Sequence, residues 1–292
     1  KYHICIISSR WALLHLWQYF SVILNAILNM NVITRNFFRL LSVGAFNETS
    51  DIEPMSLFKW NKLSRMIQAQ DVVAFAVKGL EHFQRQIPSK SDLAYLKITP
   101  EDVTPNVTCE LANQLFNYRL KNIRSEERRS VEVSIESLKL LDIIVANENC
   151  ILNRGISLTL VLHLGVYLRA HGNKIDFVKI DKWLAQIHLT GIAELIGNIL
   201  ISVFHFSQSE IPFVHHLIPS AYDLTMKSVS RTTPLLSPEL TVRQNKAGIV
   251  RYSSSGVWKS MSRNRSFLFY APIETMSNFI SNIGLGLSQI VD

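Results

Sequence analysis

Three observations predict that this chain folds as an all-α, multihelical bundle. Its 292 residues are 48% hydrophobic, enough to bury a sizeable core and too apolar for a disordered chain. Glycine and proline number only 11 and 9, and alternating strands separated by turns are scarce, which disfavours a sandwich or barrel. Large apolar residues recur at helical spacing through most of the chain. Room is left for a short β-segment near the C-terminus.

The elements follow in order from Met30. Asn31 or Thr34 caps a helix carrying Phe37, Phe38, Leu40 and Leu41, with Gly44 as its end. Ser56 caps the next, whose buried face is Phe58, Trp60, Leu63, Met66 and Ile67. The stretch holding Pro88, Pro100 and Pro105 reads as connections around short elements. Leu111, Leu115, Tyr118 and Ile123 mark one helix and Ile135, Leu138, Leu141 and Ile144 another, with a charged face around Glu126 to Arg129. Between Ile156 and Ala170 the residues Ile156, Leu158, Leu160, Leu162, Leu164, Val166 and Leu168 alternate as in a strand. Val161 and Tyr167 interrupt that alternation, and a buried helix fits at least as well. Arg169 and His171 then suit a helix C-terminus, and Gly172 a left-handed cap.

Asp176 caps a further helix with Phe177, Ile180, Trp183, Leu184 and Ile187 on one face. Thr190 begins another, with the broad apolar face Ile192, Leu195, Ile196, Ile199, Leu200, Val203 and Phe204, before Pro212. The short connections make these helices antiparallel neighbours. Residues 228–256, with Pro234, Pro238 and the Ser253 to Gly256 run, read as a mobile connection. Phe267 and Phe269 then alternate before Pro272, as a short strand or an aromatic docking segment, and a closing helix begins near Glu274.

The chain divides into residues 1–29, a helical domain at 30–226, and a basic connection with a C-terminal docking segment at 227–292. Residues 11 to 29 carry no formal charge and follow Lys1 and Arg10, but His15, Gln18, Ser21, Asn25 and Asn29 interrupt them. Three readings of that segment stand: sequence upstream of a start at Met30, an N-terminal anchor, or an ordinary core helix. The net charge of +7 is concentrated late in the chain. Lys227, Arg231, Arg243, Lys246, Arg251, Lys259, Arg263 and Arg265 face only Glu239, Glu274 and Asp292. This is either a solvated surface or an anion-binding tail in which Tyr252, Trp258 and Phe267 stack on bases; no RNA- or DNA-binding motif accompanies it. Cys5, Cys109 and Cys150 show no CxxC spacing and read as structural thiols in a reducing cytoplasm.

Motifs that carry chemistry are few. Asp51-Ile52-Glu53 has the spacing of a metal-binding carboxylate pair, but Pro54 argues against a central strand and for a solvated loop. Lys78-Gly79 reads as a helix terminus. His163 and His171 lie about 12 Å apart along a helix, too far to share a metal, and read as a core and a capping histidine. His215 and His216 fall in a loop near Pro212 and Pro219. Asp176 and Asp181 read as a cap and a surface residue, and Gly284-Leu285-Gly286 has no room after it for a phosphate-binding unit.

Three segments, FFRLLSVGAF, SLFKWNKLSRMIQAQDVVAFAVKGL and the run from Ile156 to Phe206, resemble in chain order the helical parts of a bacterial nucleotidyltransferase-like family. The resemblance implies a helical entry, a catalytic domain and a helical C-terminal part. The family's Gly-x-x-Leu-Arg-Gln-x-x-Asp pattern falls on Gly155 to His163. Gly155 and Leu158 match, whereas Thr159, Leu160 and His163 replace the arginine, glutamine and aspartate. Such enzymes place paired carboxylates on a strand to hold the magnesium that bridges nucleotide phosphates. Residues 113–155 read instead as two helices, with no catalytic or metal-ligating residue to assign. The expectation is therefore a non-catalytic helical binding or scaffold protein of the cytoplasm, without a cofactor. A protein partner is expected first, nucleic acid through the basic C-terminal third second, and a membrane only through residues 1–29. The alternative is a divergent magnesium-dependent nucleotidyltransferase using a nucleoside triphosphate.

Overall fold

The computed structural model describes residues 31–83, 87–88, 91–96, 109–230, 243–244, 250–251 and 265–291. Within them lie α1 (Val32–Phe46), α2 (Leu57–Ala69), α3 (Val73–His82), α4 (Gln114–Arg129) and α5 (Ile135–Asn153). There follow α6 (Leu158–His171), α7 (Phe177–Gln186), α8 (Thr190–Phe204), α9 (Ser220–Val229) and α10 (Pro272–Val291). The protein is an all-α multihelical bundle. A single two-residue antiparallel pairing among the described residues sets Arg243–Gln244 against Val250–Arg251. The strand considered at Phe267 and Phe269 is instead a turn leading into α10, because backbone bonds from Tyr270 and Ala271 close onto Phe267 O. The N-terminal segment 1–29 and most of the basic connection lie outside the described residues.

α8 forms the axis of the core. It packs against α1, α5, α6, α7 and α9, so nearly every side must be apolar, and its residues from Ile192 to Leu200 are all buried. α6 lies beside it and is likewise helical rather than extended. Val161 and Leu164, which strand alternation would set on opposite faces, are both fully buried because α6 packs between α1, α5 and α8.

The caps expected at Asn31 and Asp176 form: Asn31 accepts from Ile33 N at 3.0 Å and Asp176 from Lys179 N at 3.1 Å. Gly44 and Gly79 are not helix ends. They lie inside α1 and α3, where the two helices touch backbone to backbone. A Cβ on Gly44 would fall 1.9 Å from Phe75 O, and one on Gly79 2.3 Å from Leu40 O. α1 ends instead at Asn47, in the left-handed conformation. Gly172 is right-handed and starts a 3-10 turn, Gly172–Lys174, rather than capping α6 from the left-handed region.

Several residues assigned to inner faces point outward. Phe58, Leu115, Tyr118 and Ile135 are exposed, because Trp60, Leu63, Phe116, Leu120 and Leu138 occupy the inner positions of their helices. Glu127, placed on a charged outer face by the sequence, is buried. Its carboxylate accepts from Lys179 Nζ at 2.7 Å and Ser134 N at 2.8 Å, tying α4 to α7. Those bonds outweigh burial and hold its pKa below the usual carboxylate range.

Candidate functional site

α5 and α6 are joined by residues 154–157 and pinned at one point by Asn147. Its Nδ2 donates to Ile143 O at 3.0 Å within α5 and to Leu160 O at 3.2 Å across to α6. Beside this pin lies a cleft of about 360 Å³. That volume falls at the lower end of the range of small-molecule pockets. Asp142, Ile143 and Ala146 form the α5 wall, at the one-turn spacing that places them on one face. The α6 wall is Leu160, His163, Val166, Tyr167, Ala170 and His171, with the two histidines and the tyrosine four residues apart along one stripe. The alanines leave the room. Cys109 closes one end.

Most of this surface is apolar, and its polar groups are held in place. Tyr167 donates its hydroxyl to Glu136 O at 3.0 Å, and burial together with Glu136 pushes its phenol up to about 12. The His171 ring lies on the Tyr167 ring with centroids 4.7 Å apart. The His163 ring meets Phe75 edge-on at 5.2 Å. Burial first, and the Lys78 charge second, push the His163 imidazole below its ordinary range, so it is neutral at pH 7 and offers both a donor and an acceptor. Nε2 of His163 and Nδ1 of His171 are buried without a hydrogen-bond partner. Unmatched buried polar atoms are few in native structures, and the stripe holds two of those among the described residues.

At the other wall, Asp142 accepts from Arg124 Nε at 2.9 Å, while Arg124 Nη2 donates to Cys109 O at 2.9 Å. Burial, reinforced by Asp142 and opposed by Arg124, pushes the Cys109 thiol up, so it is protonated at neutral pH rather than a reactive thiolate. With thiol and phenol both protonated, the cleft offers shape, apolar contact and hydrogen bonds. It does not present an activated nucleophile.

The residues singled out by sequence are mostly absorbed by the scaffold. Glu53 binds Arg35 through both oxygens at 2.8 Å and Arg39 at 2.9 Å. The Arg35 bonds above all hold its carboxyl down to about 2. Asn36 secures the same loop by pairing with the backbone of Glu53. This carboxylate is a staple between the loop and α1. Lys78 and Gly79 belong to the middle of α3. His215 Nε2 lies 3.3 Å from Asp181, and His216 Nδ1 lies 3.1 Å from Glu194, so the adjacent histidines are pulled toward different helices. Among the described residues no group of three His, Cys, Asp or Glu side chains is placed to hold a metal ion. No described helix is long and apolar enough to cross a membrane. Of the notable residues, only His163 and His171 reach the cleft; Cys109, Asp142, Ala146 and Tyr167 were not assigned to a site. The four-residue spacing of His163, Tyr167 and His171 was the available signal.

A second, shallower depression of about 330 Å³ lies on α4 between Lys121, Arg124, Ser125, Arg128 and Arg129. Positive charge at this end of α4 complements the helix dipole, which accounts for Arg128 and Arg129 without a ligand.

No protein-family model matches the chain, and no curated protein or solved structure is significantly similar to it.

Proposed function

We propose that this chain is a non-catalytic helical binding protein of the cytoplasm whose α5/α6 cleft seats an apolar group of a protein partner. An aromatic ring bearing one polar atom fits the chemistry of the walls. The observation that carries this reading is the stripe of His163, Tyr167 and His171 along an otherwise apolar cleft, with one nitrogen of each histidine buried and unpartnered. Cys109 and Cys150 as thiols suit a reducing compartment. The segment order that resembles nucleotidyltransferase-like proteins supports descent from such a family without its catalytic domain. A divergent magnesium-dependent nucleotidyltransferase needs a carboxylate pair available to the metal, and Glu53 of the best-spaced pair is already bound by two arginines.

Calorimetric titration with 4-ethylphenol, a mimic of a tyrosine side chain, tests the reading. Nine non-hydrogen atoms at about 0.3–0.5 kcal/mol each give a dissociation constant on the order of 1 mM. Saturable binding is expected, and Ala170→Trp at the exposed rim of the cleft is expected to abolish it. Absence of saturation, or binding unchanged in that variant, overturns the assignment. Magnesium-dependent binding of a nucleoside triphosphate in the same assay favours the enzyme instead.

A further inference from the structure

The last helix buries one side and leaves the other bare. α10 enters the bundle through Glu274, Thr275 and Asn278, all buried. The Glu274 carboxylate accepts from Ala112 N at 3.0 Å and Asn113 N at 3.2 Å, and Asn278 Nδ2 donates to Asn153 Oδ1 at 3.0 Å. At about 100° per residue these three share one face of the helix. On the opposite face Ile273, Met276 and Ile280 are 42%, 51% and 64% exposed, and Phe269, in the turn just before the helix, is 89% exposed. Single exposed apolar side chains are ordinary, but a row of four is not.

The spacing 273, 276, 280 is that of alternate a and d positions in a heptad. The amino-acid sequence repeats it with Ile283, Leu287 and Ile290, and the helix runs on to Val291. A period of 3.5 residues keeps an apolar seam turned toward a partner helix over successive turns. Ile280 and Ser281 point in different directions and are both exposed, so the bundle no longer covers the helix at its third turn. A helical stretch carrying Gly284 and Gly286 at about 1 kcal/mol each is marginal in water without something to pack against.

We infer that this seam is a self-association surface, on which α10 packs against α10 of another copy of the same chain. Charge selects that occupant. Glu274 is the one ionisable side chain between Pro272 and Val291, and it is turned into the bundle. An identical face therefore meets no like charge, while a charged partner helix finds nothing to pair with. Area is consistent with it. A large aliphatic side chain contributes about 60–120 Å² when buried, so Phe269, Ile273, Met276 and Ile280 supply about 240–480 Å² per protomer. That is the scale of a weak, concentration-dependent contact, below the roughly 800 Å² per partner of a standard interface.

Sedimentation equilibrium of the full chain tests the inference. A mass of at least twice the 33.3 kDa monomer is expected at tens of micromolar. Ile273→Glu combined with Ile280→Glu should weaken association at least 100-fold while circular dichroism stays helical. Ser281→Glu, exposed but off the seam, should leave association unchanged. A full chain that sediments as a monomer at 100 µM overturns the inference, and so does assembly that survives the double substitution. If the monomer instead floats with phosphatidylcholine vesicles, the seam is a lipid contact and the inference fails.

Discussion

α6 and α8 are neighbouring apolar helices of 14 and 15 residues, yet the bundle treats them differently. α8 is covered on nearly every side, and its buried amide and carboxylate side chains are bonded, although the Ser202 hydroxyl is buried without a partner. Asn198 donates to Glu194 O at 2.8 Å and to His216 O at 2.9 Å, and accepts from Ile218 N at 2.8 Å. Glu194 in turn accepts from His215 N and lies 3.1 Å from His216 Nδ1. α6 is closed on one side, where the Thr159 hydroxyl donates to Asp71 O, and open on the other, where His163 and His171 each keep a buried nitrogen without a partner. Burying a polar group without a hydrogen bond costs free energy. The bundle bears that cost at two ring nitrogens along the cleft and at one hydroxyl, Ser202 Oγ, on its axis, where Asn198 and Glu194 are bonded. The bonded Asn198 and Glu194 of α8 and the unpartnered ring nitrogens of α6 distinguish the two helices where hydropathy does not.

The comparison breaks first at Asn198. Asn198→Ala removes three bonds at once and leaves Ile218 N and His216 O, both part-buried, without their partner, so chemical denaturation should show a loss of about 2–3 kcal/mol. Helical content should fall in one step with it.

A smaller change is expected where a buried acid has one oxygen without a partner. Glu148 on α5 is 1% exposed, has no hydrogen-bond partner on Oε1, and is pushed well above its ordinary range by burial and then by Glu274. Because its folded pKa is raised, its favourable contribution is complete below the unfolded value of 4.5 and is lost as pH rises through the folded value. Glu148→Gln should therefore stabilise the protein at pH 8 by about 1–2 kcal/mol and flatten its loss of stability with rising pH. Urea denaturation at pH 5 and pH 8 separates the two effects.

His163 sharpens the comparison in the opposite direction. Removing a polar group that has an unmet bond is nearly neutral or stabilising, so His163→Leu should change stability by no more than about 1 kcal/mol, while 4-ethylphenol binding weakens. The smallest effect is its pH signature. The His163 pKa is lowered, so its contribution to stability is full above the unfolded value of 6.5 and declines as pH falls through the folded value. Wild type should lose more stability than His163→Leu between pH 7 and pH 5, by thermal denaturation.

Much of the helical layout was legible in the chain, since Ile192 through Phe204 repeat at helical spacing and Asn31 and Asp176 are strong caps. What escaped depends on two elements meeting. Gly44 and Gly79 read as terminators because the close crossing of α1 and α3 exists only once both helices are placed. Glu127 read as solvated because Lys179, which binds it, lies three helices further along the chain. The cleft was half visible: the His163, Tyr167, His171 stripe is a one-helix pattern, whereas the opposite wall at Asp142 and Ala146 appears only when α5 is set beside α6. The bare face of α10 was hidden for the same reason, because Glu274 looks like a surface acid until Ala112 and Asn113 bind it.

The most direct test of the open helix is nuclear magnetic resonance of the His163 and His171 ring nitrogens during titration with 4-ethylphenol. The cleft assignment predicts saturable shifts at both rings, with His215 and His216 unmoved, and their disappearance in Ala170→Trp. Shifts that are absent, or equal across all four histidines, would contradict it.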